Sequence, residues 1–256
     1  MSTPLTTSLT LSTADRFTVR SAVAPLLSDA RIAAPVTSQL VAGEVLQLID
    51  GRGDWLQVRG PDDYQGWTHV GYLRPYAGTE AAWPLSLGCV TRDTQGQLRA
   101  LPLGARVAPD LEVVDGRAIP PDARATLFPR DRAAIVRSAR TLFSGASYVW
   151  GGVTPWGVDC SGLVQRLFAL HGVALRRDAW QQAEDTMLVA DDVTAPPAPA
   201  DLLFFSDRDD RRITHVGIAT GDGGMVHSSL ARGGVFEERV LTERLKGQGV
   251  SLRRAL

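Results

Sequence analysis

The sequence lacks the patterns that mark several common functional classes. It has 256 residues with a formal net charge of −1, and 21% of the residues are charged, so neither sign of charge dominates. It has no Lys/Arg run with interleaved aromatics, which argues against a nucleic-acid-binding surface. No apolar stretch approaches the roughly 20 residues that span a bilayer. We therefore expect no nucleic-acid partner and no membrane partner, whereas the sequence says nothing about oligomeric state.

Cysteine and histidine are scarce. The two cysteines, Cys89 and Cys160, lie far apart in the sequence, which argues against a disulfide framework and fits a reducing compartment. The segment Met1–Ser12 is rich in Thr and Ser and has neither a basic start nor an apolar core, unlike a secretory signal. We therefore expect a cytoplasmic protein. A trimmed exported protein would show the same pattern, so export is the alternative.

Short apolar runs between turn residues fill the first half of the chain. Residues 41–49, 55–59 and 64–70 read as strands, and their close spacing predicts a small all-β barrel over residues 15–77. A second β-rich segment follows at residues 78–125 and resembles a divergent copy of the first. The dipeptide Pro120-Pro121 lies near the end of that segment.

The periodicity changes to helical in residues 126–256. One amphipathic helix is predicted over residues 130–143, and a clearer apolar stripe follows Cys160 and ends near Gly172. Strands are predicted at residues 201–205, 215–220 and 225–229. Helices followed by an antiparallel sheet predict an α+β domain.

Cys160 is the first candidate for chemistry. It lies in the run Asp159-Cys160-Ser161-Gly162, between a loop rich in Gly and Trp and the predicted helix. Unpaired N–H groups and the helix dipole favour a thiolate at such a helix start. A lone cysteine can equally be an inert core residue, which is the simplest reading for Cys89.

A cysteine nucleophile needs a base, and histidine titrates near neutrality. His69 lies in the first β segment, and His171 lies at the far end of the helix, roughly 16 Å from the thiol. His215 and His227 remain, on one predicted hairpin. If Thr220 opposes Gly224, the two histidines share a face of the sheet, because side chains alternate along a strand.

The alternation of side chains along the strands leaves open which histidine is the base and which orients it. A zinc site made of one Cys and two His is an alternative by ligand type, but close ligand pairs such as Cys-x-x-Cys are missing. We therefore assign no metal.

Several motifs together resemble the NlpC family of bacterial cell-wall cysteine peptidases. They are Trp150-Gly151-Gly152, Asp159-Cys160-Ser161-Gly162, Arg177-Asp178-Ala179-Trp180-Gln181, residues 199–205 and His215-Val216-Gly217-Ile218. The resemblance implies a papain-like catalytic domain, with helices packed on an antiparallel sheet, preceded by two small SH3-like β-barrels. It also implies Cys160 as nucleophile, His215 as base and His227 as third member, with no cofactor.

The β segments resemble the SH3-like domains of γ-D-glutamyl-L-diamino-acid endopeptidases. That subgroup cuts peptidoglycan stem peptides with a free N-terminal L-Ala, and it holds the ammonium with two acids and a Tyr. The resemblance places these roles on Asp159, Asp29 and Tyr64, with further substrate contacts from Tyr148, Trp150, Ser161 and Asp178. Two departures exist. Ala179 stands where relatives often have Ser and bears on substrate contacts, whereas Ala200, where Gly often precedes Asp201, changes only a turn.

The expected function is therefore hydrolysis of cell-wall-derived peptides during recycling. The alternatives are an exported hydrolase of intact wall, anchored by its SH3-like domains, and a non-catalytic wall-binding protein.

Overall fold

A computed structural model of the protein describes residues 15–256. The segment Met1–Ser12, on which the expectation about a secretory signal rests, lies outside the described residues. Among the residues described, no helix has both the length and the apolar character needed to cross a bilayer.

The first β segment forms one closely hydrogen-bonded antiparallel sheet. Its strands are β1 (Arg16–Val19), β2 (Val23–Leu27), β3 (Val36–Val41), β4 (Val45–Arg52), β5 (Trp55–Arg59), β6 (Gln65–His69) and β7 (Leu73–Pro75), in the order β3-β2-β6-β5-β4-β1-β7. Alternate residues such as Leu46, Leu48, Leu56 and Val58 point into a shared apolar core.

The predicted strand at residues 41–49 is wrong in one respect, because the structure divides it between β3 and β4. The chain turns at Gly43, whose φ of 82° suits glycine. A Cβ at this position would also collide with the side chain of Arg106. The sequence does not reveal this turn, because buried apolar residues continue on both sides of it.

The second β segment is a smaller sheet of three antiparallel strands. They are β8 (Leu85–Arg92), β9 (Leu98–Leu101) and β10 (Glu112–Ile119), with β8 in the centre. Cys89 and Leu101 pack against Val41 and Ala42 of the first sheet, so Cys89 is core, as predicted. That this segment is a second copy of the first barrel stays a prediction.

The C-terminal part packs helices on one antiparallel sheet. Its helices are α1 (Arg124–Leu127), α2 (Arg132–Leu142), α3 (Cys160–Leu170), α4 (Ala179–Glu184) and α5 (Glu243–Gln248). A short β hairpin is formed by β11 (Val153–Thr154) and β12 (Gly157–Val158). The main sheet has the order β13-β18-β14-β15-β16-β17, with β13 (Met187–Ala190), β14 (Leu202–Phe205), β15 (His215–Ala219), β16 (Met225–Ser229), β17 (Gly234–Glu238) and β18 (Gly249–Arg254).

Helix α3 is the centre of this C-terminal core. Leu163, Val164, Leu167 and Phe168 are fully buried, in one cluster with Val216 of β15. Each such side chain contributes roughly 1.5–3 kcal/mol when it leaves water. The packing holds the start of α3 against the sheet, and the predicted α+β architecture is confirmed.

The first barrel docks directly on the C-terminal part. Glu44 pairs with Arg166 at 2.6 Å, and Asp62 accepts a hydrogen bond from Gln165 at 2.8 Å. Gly151 lies against the backbone of β3 with a φ of 76°, and a Cβ there would press on this strand. The barrel is therefore close enough to contribute side chains to a site at the start of α3.

Candidate active site

Cys160 is the first residue of α3, and the local sequence explains why the helix begins there. Asp159 is its N-cap, and its Oδ1 accepts the backbone N–H of Gly162 at 2.7 Å. Gly162 has no side chain, which lets this first turn approach the carbonyl of Gly152. The N–H of Cys160 has no acceptor within the helix, because the first turn precedes the repeating bonds.

The thiol of Cys160 is buried beside β15. The backbone N–H of Val216, which follows His215 in the chain, lies near the sulfur and acts to lower its pKa, so the thiol lies next to the strand that carries His215. Burial, followed by the charge of Asp159, raises the pKa of Cys160 to about 12. The expectation of a thiolate at the helix start is therefore wrong for the free protein, because desolvation outweighs the helix dipole.

His215 and His227 meet across the predicted hairpin. Ile218 opposes Val226, and the N–H of Thr220 bonds the carbonyl of Gly224, so the register is the predicted one. Nε2 of His215 lies 2.8 Å from Nδ1 of His227. The neighbouring strand β14 packs Phe205 against the ring of His215, with the ring centroids 5.8 Å apart.

Both imidazoles are neutral at physiological pH. Burial and the nearby His227 lower the pKa of His215 to about 3, whereas Asp207 acts in the opposite direction. Burial and Arg232 lower the pKa of His227 to about 4. The resting site therefore holds a neutral thiol beside a neutral imidazole pair.

The other two histidines have structural partners. His171 lies between the carbonyl of Pro129 at 2.7 Å and the hydroxyl of Ser138 at 2.9 Å. His69 lies edge-on to Trp55 within the barrel. Their contacts agree with their exclusion as base.

Asp159 is tied to a buried arginine. Nη2 of Arg177 lies 2.6 Å from Oδ2 of Asp159, and Nη1 lies 3.1 Å from Oδ1. The same guanidinium donates to Ser161 at 2.8 Å and to Ser38 of the barrel at 2.9 Å. Burial opposes the charge of Arg177, but the pairing with Asp159 raises its pKa above the usual value. Arg177 thus joins the nucleophile's N-cap to the first barrel.

Tyr64 of the barrel reaches this cluster. Its phenol lies beside the carboxylate of Asp178, and the charges of Arg177 and Asp159 also act on it. Burial, together with the charge of Asp178, raises the pKa of Tyr64. Burial likewise raises the pKa of Asp178. The two side chains form one polar group at the junction between barrel and catalytic domain.

The remaining predicted residues fall into three settings. Tyr148 is half-buried beside Cys160 and Asp159, and burial raises its pKa to about 12. Trp150 is exposed, whereas Ser161 is buried under Arg177. Asp29 is exposed on the barrel, where it pairs with arginines at positions 31 and 52. The structure thus groups Tyr148 with the thiol and leaves Asp29 engaged within its own barrel.

Two residues of this region were missed from the sequence. Arg177 was quoted only as part of a motif, and its burial follows from tertiary contacts that the sequence does not reveal. Glu238 lies on β17, which was not predicted, and its Oε1 lies 3.8 Å from Nε2 of His227. A same-face parity argument would have found Glu238 had β17 been recognised.

Metal binding was weighed as an alternative to cysteine catalysis. Within residues 15–256, no group of three or more His, Cys, Asp or Glu side chains has an arrangement that could hold a metal ion. The imidazoles of His215 and His227 instead bond one another.

Two family profiles match the chain. The NlpC/P60 family matches residues 145–254, and the bacterial dipeptidyl-peptidase SH3 domain matches residues 26–72. The second match falls inside the seven-stranded sheet. The first match includes both histidines and the thiol.

Curated relatives carry related names. A γ-D-glutamyl-L-lysine dipeptidyl-peptidase of Bacillus cereus is 24% identical, over 76% of this chain and 67% of the relative. The Bacillus subtilis protein of the same name is 39% identical over 41% of this chain, which is 34% of the relative. A protein named as a probable endopeptidase of Mycobacterium tuberculosis is 44% identical over 39% of this chain, only 24% of that protein.

Solved structures share the fold. An NlpC/P60 family protein from Bacillus cereus superimposes with a TM-score of 0.78 at 17% identity, covering 94% of this chain and 99% of that one. An NlpC/P60 endopeptidase from Photobacterium damselae gives a TM-score of 0.63 at 14% identity, covering 93% of this chain and 65% of that one. The first superposition spans both the barrel and the catalytic part, and it bears on the fold alone. The chain therefore carries a cysteine-peptidase domain of the NlpC/P60 family, preceded by a bacterial SH3-like domain.

Proposed function

We propose that the protein is a cysteine endopeptidase that cuts the γ-D-glutamyl-L-diamino-acid bond of peptidoglycan stem peptides with a free N-terminal L-Ala. The observation that carries this proposal is that Tyr64 of the barrel lies beside Asp178, next to the bonded Asp159–Arg177 pair. This arrangement puts acidic and phenolic oxygens of two domains in one place, near the nucleophile. Recycling of wall peptides, and the cytoplasmic location that accompanies it, belong to the same proposal.

Cys160 attacks the γ-carbonyl of D-Glu. As the C–S bond forms, the carbonyl electron pair moves to oxygen and the thiol proton moves to His215. The N–H of Cys160, which has no acceptor within its helix, is suited to donate to the oxyanion. The oxyanion electron pair then re-forms the carbonyl and the C–N bond breaks, while His215 gives its proton to the nitrogen of the leaving diamino acid. Water, deprotonated by His215, then attacks the thioester, and the proton returns to the sulfur as the C–S bond breaks. Because thiol and imidazole are neutral at rest, the ion pair forms only as the attack proceeds.

Charge balance favours a free amine as the group bound near Tyr64. Asp159 and Asp178 carry two negative charges, and Arg177 compensates one of them. A substrate ammonium would neutralise the other and could bond the oxygens of Asp178 and Tyr64. An N-acylated peptide brings no such charge and leaves the half-buried carboxylate unmatched. Asp178 therefore takes a larger part than the sequence suggested, since Asp159 is already paired.

The first experiment compares L-Ala-γ-D-Glu-L-diamino-acid tripeptides with a free and an acetylated N-terminus. We expect kcat/KM to fall by at least about 100-fold on acetylation, because charged hydrogen bonds are lost. Equal cleavage of the two peptides would reject the recycling proposal and favour a hydrolase of intact wall. Running lysine and diaminopimelate versions in parallel identifies the diamino acid.

The second experiment separates catalysis from mere binding. Cys160→Ala is expected to reduce hydrolysis by roughly 10⁶-fold, down to background, as loss of a nucleophile does elsewhere. Cys89→Ala is the matched control, because Cys89 is equally buried but belongs to the core of the second sheet. An unchanged rate in Cys160→Ala, with its fold intact by circular dichroism, would remove the catalytic assignment.

A further inference from the structure

A buried nitrogen at the rear of the histidine pair has no hydrogen-bond partner. Among the described residues, Nε2 of His227 is one of the buried side-chain atoms without a hydrogen-bond partner, and His227 is only 3% exposed. Such a group normally finds a partner, because an unmade buried hydrogen bond is costly. Oε1 of Glu238 lies 3.8 Å away, just beyond hydrogen-bond distance.

The role of His215 as base decides which nitrogen of His227 carries the proton. If Nδ1 of His215 is to accept the thiol proton, its Nε2 carries hydrogen and donates to Nδ1 of His227, 2.8 Å away. Neutral His227 must then be protonated on Nε2. That N–H is the group directed toward the carboxylate of Glu238.

The sheet explains why Glu238 reaches His227. Glu238 on β17 opposes Met225 on β16, and His227 is two residues beyond Met225, so Glu238 and His227 occupy the same face diagonally. Nε of Arg232 bonds Oε1 of Glu238 at 2.8 Å, and Nη2 bonds Oε2 at 3.0 Å. Glu238 is 7% exposed, so its charge is held by this arginine rather than by solvent.

We propose that Glu238 is a positioning residue that holds His227 as the Nε2–H tautomer and balances the positive charge that forms on the histidine pair during acylation. Arg232 keeps the carboxylate in place and offsets its charge in the resting state. Glu238 takes no proton and touches no substrate. This inference rests on the proposed function, because the histidine pair gains charge only if His215 accepts the thiol proton.

The charged and titratable groups around the two histidines predict in which direction each substitution shifts the pKa of the histidine pair. Cys160 comes from α3 and Asp207 from the loop after β14, and both lie on the His215 side. On the His227 side the charges are Glu238 from β17 and Arg232 from the turn before it. Removing one member of the Arg232–Glu238 pair leaves the other uncompensated. The two removals should therefore shift the pKa of the histidine pair in opposite directions.

The test measures kcat/KM for the free-amine tripeptide as a function of pH. Its acid limb is the range in which kcat/KM falls as the pH is lowered. Glu238→Gln leaves the charge of Arg232, so we expect the limb to move about one pH unit lower and kcat to fall about 10-fold, with KM little changed. Arg232→Gln leaves the carboxylate, so the limb should move higher. Glu238→Asp, which keeps the charge, should retain a limb nearer that of the wild type.

Glu237→Gln is the matched control. Glu237 precedes Glu238 on the same strand, points to the other face and pairs with Arg140 at 2.7 Å. It should leave both kcat and the acid limb unchanged. Limbs that stay in place, or that move in the same direction in Glu238→Gln and Arg232→Gln, would overturn the proposal and leave Glu238 a structural residue.

A measurement without substrate separates this inference from the proposed function. Imidazole ¹⁵N shifts of the wild-type protein should report His227 protonated on Nε2, and Glu238→Gln should mix the two tautomers. If the wild type cleaves no peptide but the tautomer changes as expected, the proposed function fails while the positioning by Glu238 stands. An unchanged tautomer in an active Glu238→Gln enzyme would reject the inference alone.

Discussion

Two arginine–carboxylate pairs support the candidate active site, and they are bonded in different ways. Arg177, 2% exposed, fully engages Asp159 behind the nucleophile and also holds Ser161 and Ser38. Arg232, 44% exposed, engages Glu238 behind the histidine pair and leaves Nε2 of His227 unpartnered. The first pair is enclosed on both sides and is bonded to its neighbours. The second pair is open to water on its arginine side and lies beside the nitrogen that has no partner.

The largest expected effect tests whether the first pair is structural. Arg177→Met should lower the free energy of unfolding by about 3–5 kcal/mol, because it strands the buried Asp159 carboxylate. Arg232→Met should cost less, about 1–3 kcal/mol, because it leaves the buried Glu238 carboxylate unpaired on a side that is open to water. Urea denaturation measures both. Equal losses would contradict the distinction between the two pairs.

A double variant sharpens the same result. Asp159→Asn removes the stranded charge, so combining it with Arg177→Met should recover part of the stability lost in the single variant. Additive losses would mean that the guanidinium acts mainly through Ser38 and Ser161 rather than through Asp159.

The next largest effect distinguishes Asp178 from Asp29, which were both predicted to contact the substrate. Asp178→Asn should lower kcat/KM for the free-amine tripeptide by about 10- to 100-fold, because its half-buried carboxylate would bond the ammonium. Asp29→Asn should change it by no more than about 3-fold, since Asp29 is 48% exposed and paired with Arg31 and Arg52. A larger loss in Asp29→Asn would restore the sequence assignment.

The smallest effect concerns pH. The folded pKa values of His215 and His227, about 3 and about 4, lie below the ordinary value of 6.5. The unfolded chain therefore binds more protons in this window, and the stability that neutral histidines provide is lost as pH falls from 6.5 toward 3. Imidazole shifts of both residues should not titrate between pH 8 and 5. A midpoint near 6.5 would contradict the burial argument.

Helix capping, hydrophobic periodicity and turn length predicted the structure of single elements and of one hairpin. The start of α3, its end near Gly172 and the register of the β15–β16 hairpin follow from capping, periodicity and turn length, so the meeting of His215 and His227 was accessible from the sequence. The break at Gly43 was missed, because the apolar run continues on both sides of it.

Contacts between distant elements could not be predicted in the same way. Arg177 looks like a surface charge until the folded barrel brings Ser38 to it. The pKa of Cys160 was expected to fall because a helix dipole is visible in sequence, whereas burial is a property of the packed domain. The family resemblance supplied the roles of Tyr64 and Asp29, but only the structure shows that Tyr64 lies beside Asp178.

The most direct test of the account is mass spectrometry of the enzyme quenched during turnover of the free L-Ala-γ-D-Glu-L-diamino-acid tripeptide. We predict an L-alanyl-γ-D-glutamyl adduct on the peptide that contains Cys160, and none on the peptide that contains Cys89. The adduct should be absent in Cys160→Ala and after incubation with the N-acetylated tripeptide. An adduct at another residue, or product release from a different bond, would contradict the assignment of Cys160 as the nucleophile for this substrate.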